Sequence, residues 1–120
     1  MKIAITSTGP DLDSPIDERF GRARFLLIVD PETEDVKAID NSINVNAAQG
    51  AGIQTAQRVA GEAVEWILTG HVGPKAFRAL NAAGIKIGTG ISGTARETLE
   101  RFKAGAISST TGPDVQGHWQ

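Results

Sequence analysis

Cations and glycines recur in this chain where strands give way to helices, and that combination suits the holding of a compact anion. Arg19, Arg22 and Arg24 stand at the exit of a polar stretch, and Asn44 leads towards Gly50-Ala51-Gly52. Next comes Thr69-Gly70-His71-Val72-Gly73-Pro74-Lys75, and finally Thr89-Gly90-Ile91-Ser92-Gly93. The first N–H groups of a helix have no intrahelical acceptor, and the helix dipole adds positive potential at that end. Pro74 fits the first helical position, where a missing N–H costs nothing. The residues expected to face an anion are Arg19, Arg22, Arg24, Asn44, Gly50, Gly52, Gly70, His71, Gly73, Lys75 and Thr89, with His71 the one candidate metal ligand. Taken singly, each arginine reads as a solvated charge and His71 as a hydrogen-bonded turn residue. The repetition of the device is what favours a ligand.

The elements that must position these groups follow from hydrophobic periodicity. Residues 2–7, 23–29 and 36–40 read as strands, the last two joined by Asp30-Pro31-Glu32-Thr33-Glu34 as an antiparallel hairpin. The polar loop 8–22 between the first two is long for a compact domain, which marks it as functional or mobile. A helix over about 49–60 is expected to turn Ile53, Ala56, Val59 and Ala60 inward. Strand 63–68, helix 74–83 ended by Gly84, strand 85–88 and helix 94–104 ended by Gly105 complete the order β-β-β-α-β-α-β-α. The expected fold class is α/β: a mixed five-stranded sheet of order 3-2-1-4-5, with strand 2 antiparallel and helices flanking it. Ligands in open α/β sheets sit at the C-terminal edge of the parallel strands, where the four loops would meet.

Composition narrows the classes of function. The chain has 120 residues and a net charge of -2 with the signs mixed, so one domain and no strong pull on nucleic acid are expected. It contains no Cys, which excludes disulfides and thiolate metal sites. No apolar run reaches membrane-spanning length, and Met1-Lys2-Ile3-Ala4-Ile5 enters a strand directly, so a soluble, cytoplasmic protein is expected. Residues 1–105 form the domain and 106–120, with His118 and Trp119, a flexible C-terminal tail.

Other motifs carry less. Thr6-Ser7-Thr8-Gly9 resembles a flavodoxin-type phosphate loop without the helix that should follow it. Gly88-Thr89-Gly90-Ile91-Ser92-Gly93 fits G-x-G-x-x-G, but no acidic residue ends a following strand to grip a ribose. The topology resembles ribonuclease H, yet the first strand has no carboxylate for a two-metal centre. No Ser-His-Asp or Cys-His set is visible.

Arg19-Phe20-Gly21-Arg22-Ala23, Gly50-x-Gly52, Gly70-x-x-Gly73-Pro74-x-Ala76 with Leu80, and Gly84-Ile85 together resemble the dinitrogenase iron–molybdenum cofactor biosynthesis family over residues 1–105. Within that family the chain is most similar to the orange proteins of sulfate-reducing bacteria. The resemblance implies a ribonuclease H-like fold and non-covalent binding of a molybdenum–sulfur cluster, which for orange proteins is a molybdenum–copper sulfide. Such a cluster brings its own sulfides and negative charge, so a cationic, N–H-rich cradle suffices without thiolates. Many members carry His where this chain has Arg19, which favours electrostatic holding over imidazole ligation. The reading is a carrier or sensor that is not an enzyme, with protein partners that deliver the cluster or are regulated by it, and no nucleic-acid or membrane partner. The alternatives are a nucleotide- or phosphate-binding domain built on 88–93, and a regulatory protein-interaction module.

Overall fold

A computed structural model describes residues 1–47 and 49–110. Five strands, β1 (Ile3–Ser7), β2 (Phe25–Val29), β3 (Val36–Asp40), β4 (Trp66–Leu68) and β5 (Lys86–Gly88), form one sheet of order β3-β2-β1-β4-β5. β2 runs antiparallel to β1 and β3, while β1, β4 and β5 are parallel. Order and strand directions agree with the sequence-based expectation.

Alternation along the strands builds two cores. Ala4, Leu26, Ile28, Ile67 and Ile87 point to one face, under α1 (Ala51–Gly61) and α2 (Pro74–Ala82). Ile3, Ile5, Leu27, Val29 and Leu68 point to the other, under α3 (Ala95–Lys103). β3 is an exposed edge strand, and its Lys37 pairs with Glu62 at 3.1 Å.

Two local expectations are corrected. The inward face of α1 is Ala51, Thr55, Ala56 and Val59, whereas Ile53 is 37% exposed and Ala60 lies on the surface. Thr55 turns inward because its hydroxyl donates to the Gly21 carbonyl (2.9 Å) and accepts from Asn41 Nδ2 (3.2 Å); an apolar count cannot register that pull. Of the functional or mobile character expected for loop 8–22, only the mobile half is corrected, because the loop is pinned. Leu12, Ile16 and Phe20 are buried, the Thr8 N–H donates to Pro15 O (2.9 Å), and the Ile16 N–H donates to Gly93 O (2.8 Å).

The chain beyond α3 returns to the sheet. Ile107 packs over Gly88, and the Thr110 N–H donates to Ile87 O (2.6 Å). These residues begin the segment expected as a tail; its remainder, with His118 and Trp119, lies outside the described residues.

Candidate anion-binding site

The C-terminal ends of β1, β4 and β5 lie along one rim, and three connections are stitched together there. The Thr6 hydroxyl donates to the Asp17 carbonyl (2.7 Å) and pairs with Thr69 Oγ1 (2.7 Å). Residues 18–20 then run beside 71: the His71 N–H donates to Glu18 O (2.7 Å) and the Phe20 N–H to His71 O (3.2 Å). Gly70 permits this approach, because a Cβ there would stand 2.6 Å from Glu18 O and 2.7 Å from its Cα. Gly90 and Ile91 donate N–H bonds to Gly70 O (2.8 Å) and Thr69 O (3.2 Å).

Asp17, which the sequence reading passed over, organises the arginine loop. It is 6% exposed, and its carboxylate accepts from the Arg19 N–H (3.2 Å) and the Arg24 N–H (3.1 Å) and faces Arg19 Nε at 3.6 Å. The signal available in the sequence was an acidic residue two before Arg19, the spacing of an Asx turn.

The three helix starts differ in chemistry. α3 is closed. Its N-cap Thr94 accepts from the Glu97 N–H, Glu97 accepts from the Thr94 N–H, and Ala95 and Arg96 donate to Ser14 O (3.0 Å) and Leu12 O (2.7 Å). The hydrogen bonds from the Thr94 N–H and hydroxyl hold the Glu97 carboxyl below the usual carboxylate range. α1 and α2 are open. Their N-caps, Gly50 and Gly73, provide no side-chain acceptor, and neither first turn contains an acidic residue. N–H groups in the first turn of each therefore have no partner within the helix.

The two open starts adjoin. A Cβ on Gly52 would lie 3.2 Å from Ala76 Cβ, so the first turns of α1 and α2 touch. Gly21 closes the group from the arginine loop, since a Cβ there would meet Gly52 N and Cα at 2.8 Å. Gly73 has an ordinary φ of -78°, and no atom of the described residues lies within 4 Å of where a Cβ would project. Arg19, His71 and Lys75 are exposed around this rim.

Of the expected site residues, the structure thus brings together Arg19, Gly50, Gly52, Gly70, His71, Gly73 and Lys75. The others are committed elsewhere. Arg22 donates through Nη1 to Ala47 O (2.7 Å) and Val45 O (3.2 Å), and so straps the loop that leads to α1. Arg24 stacks over Phe25 at 5.7 Å and lies near Asp40, so it and Arg22 do not share a face. β2 starts only at Phe25, two residues later than the expected strand 23–29. Asn44 is buried and donates to Asn41 Oδ1 (3.0 Å). Thr89 pairs with Thr110, Oγ1 to Oγ1 at 2.7 Å. Of the loops expected to meet at the rim, the one that opens α3 does not join this group, because α3 begins under the opposite face of the sheet and is capped. The described residues contain no group of three or more His, Cys, Asp or Glu side chains able to hold a metal ion. The arrangement can hold an anion through backbone N–H groups, helix dipoles and flanking cations.

The chain resembles the apo form of the orange protein from Desulfovibrio gigas, at 44% identity and a TM-score of 0.91, covering 94% of this chain and 95% of that one. A Thermotoga protein provisionally named NifB, of the DUF35 family, matches at 33% identity and TM-score 0.78, covering 90% and 91%. An uncharacterized protein of Methanocaldococcus jannaschii is 27% identical over 110 residues, 89% of each chain. The family model described as dinitrogenase iron-molybdenum cofactor matches residues 1–105, and the chain belongs to that family.

Proposed function

We propose that this protein is a small cytoplasmic carrier or sensor, not an enzyme, that holds an anionic molybdenum–sulfur cluster as cargo, a mixed molybdenum–copper sulfide in particular. The observation that carries the reading is the pair of uncapped helix starts, α1 and α2, in contact through Gly52 and Ala76, beside a capped third. A cluster whose surface is its own sulfide needs hydrogen-bond donors and positive potential rather than thiolates, and the chain has no Cys. First-turn N–H groups of Gly52, Ile53, Lys75 and Ala76 would donate to it, and Arg19 and Lys75 would balance its charge beside His71. The neighbouring orange protein is described as an apo form, a term that implies a removable guest.

The nucleotide alternative is disfavoured by loop 89–91, whose N–H groups already donate to Thr110 Oγ1, Gly70 O and Thr69 O. Reconstitution with tetrathiomolybdate and copper, followed by visible absorption of the desalted protein, tests the proposal. A chromophore that co-elutes with the wild type and is lost in Arg19→Ala/Lys75→Ala supports it. A colourless wild type overturns it, as does saturable binding of ATP or NAD in equilibrium dialysis.

A further inference from the structure

Asp17 is tied into the rim through both its backbone and its side chain. Its N–H donates to Thr6 O (3.1 Å) and its carbonyl accepts from the Thr6 hydroxyl (2.7 Å), so the residue is bolted to the end of β1. One carboxylate oxygen, Oδ2, accepts from the Arg24 N–H (3.1 Å). The other, Oδ1, meets Arg19 twice: it accepts from the backbone N–H (3.2 Å) and stands 3.6 Å from Nε of the same residue. The carboxylate cannot turn without breaking one of these contacts, and it therefore offers Arg19 a fixed point.

Burial divides this pair unevenly. The Asp17 side chain is 7% exposed and that of Arg19 60%. The Nη groups of Arg19 make no hydrogen bond among the described residues, so the guanidinium is held at its Nε edge and open at the other. Nε and both Nη nitrogens lie in one plane, and a contact at Nε therefore restricts the direction of the whole fork. The residue stands at the cradle, where the backbones of Arg19 and His71 pair. As a surface ion pair the contact adds little stability. What it does is restrain a long side chain before a guest arrives, and a fork of set direction suits an anion with two adjacent acceptor atoms.

We infer that Asp17 is a positioning residue for the anion: it clamps Arg19 at Nε, leaves the Nη fork to the guest, and so promotes uptake of a guest of its own sign. The inference rests on the cargo reading for the guest and on the rim geometry for the clamp. Two effects of the carboxylate oppose each other. Restraining one long side chain in advance strengthens binding by about three- to tenfold. Repulsion of a dianion about 9 Å away, in water at about 0.15 M salt, weakens it by less than about twofold. Positioning outweighs repulsion, so the loss of this negative charge should weaken the binding of an anion.

The test is a mutant cycle of the whole chain, with the wild type, Asp17→Asn, Arg19→Ala and the double variant, read by chromophore uptake from tetrathiomolybdate and copper. Asp17→Asn keeps an oxygen for the Arg19 N–H and removes the charge that faces Nε. It should weaken uptake by about three- to tenfold in the wild-type background and change it by less than about twofold in Arg19→Ala. Equal losses in both backgrounds overturn the inference, because Asp17 then only holds the loop. A gain in the wild-type background also overturns it, being the sign of plain repulsion. A second measurement needs neither guest nor substitution: the heteronuclear NOE of the arginine Nε–H groups in the guest-free wild type. Arg19 should lie close to the backbone amides and clearly above Arg78, which is exposed and has no hydrogen bond or ion pair among the described residues. An Arg19 value equal to that of Arg78 removes the clamp, and this comparison decides should Asp17→Asn fail to fold. A colourless wild type sinks the cargo reading and the role in uptake with it, whereas a loose Arg19 in a protein that does take up the chromophore sinks the clamp alone.

Discussion

Gly70 and Gly73 stand three residues apart and serve different ends. At Gly70 a Cβ would enter the Glu18 backbone, so Gly70→Ala must push apart the 18–20 and 70–72 segments. A loss of about 1–3 kcal/mol in chemical denaturation is expected, the usual cost of overpacking. At Gly73 the added methyl comes within 4 Å of no atom of the described residues, at an ordinary φ. Gly73→Ala should therefore keep stability within about 1 kcal/mol of the wild type. Its methyl would stand where a guest must approach the α2 start, so chromophore uptake should fall by about tenfold or more, some 1.4 kcal/mol. Equal uptake by Gly73→Ala would show that the cargo does not touch this turn.

At the scale of the element, capping separates α3 from its two neighbours. Thr94 closes the helix with both halves of the capping box in place, and Thr94→Ala should cost about 1 kcal/mol in thermal or urea unfolding without changing anion uptake. The same box makes a pH prediction. Its hydrogen bonds, first from the Thr94 backbone and then from its hydroxyl, lower the folded pKa of Glu97 below the ordinary value of 4.5. The unfolded chain then binds the proton more readily, so the contribution of Glu97 is full above that value. It is lost as pH falls through the folded pKa. Glu97→Gln should accordingly flatten the stability–pH curve on its acid limb. An unchanged slope below about pH 4.5 would mean the carboxylate is not engaged in solution.

For the whole molecule, the sheet divides the apolar interior into two bodies. Leu80 of α2 and Leu99 of α3 are both almost fully buried, but on opposite faces. Each substitution to Ala should cost about 2–5 kcal/mol. Because the two share no cluster, the double variant should be additive within about 0.5 kcal/mol in urea unfolding. A large coupling would show that the faces relax together through the strands.

Strand order, strand direction and the existence of all three helices were legible in the sequence, because β periodicity in residues 2–7 and 23–29 and the glycine and proline stops are local signals. So was the rim itself: parallel strands followed by helices must place the helix starts at one edge. Which starts are capped was not read, although Thr94 and Glu97 spell a capping box that the grouping of 89–93 with the other glycine loops passed over. The partners of the polar groups were not. Arg22 and Arg19 are chemically alike, and only the fold brings the carbonyls of residues 45 and 47 to Arg22 and leaves Arg19 on the rim. Thr55 turns inward for hydrogen bonds to Asn41 and Gly21, 14 and 34 positions away along the chain, and Asn44 for bonds to Asn41 and Thr55, 3 and 11 positions away. The sequence by itself determined the layers and the cation-and-glycine composition of the loops, because periodicity and turn chemistry act over a few residues. The tertiary structure alone decided which polar groups find partners within the fold, because a hydrogen bond is settled by whichever distant acceptor arrives within about 3 Å.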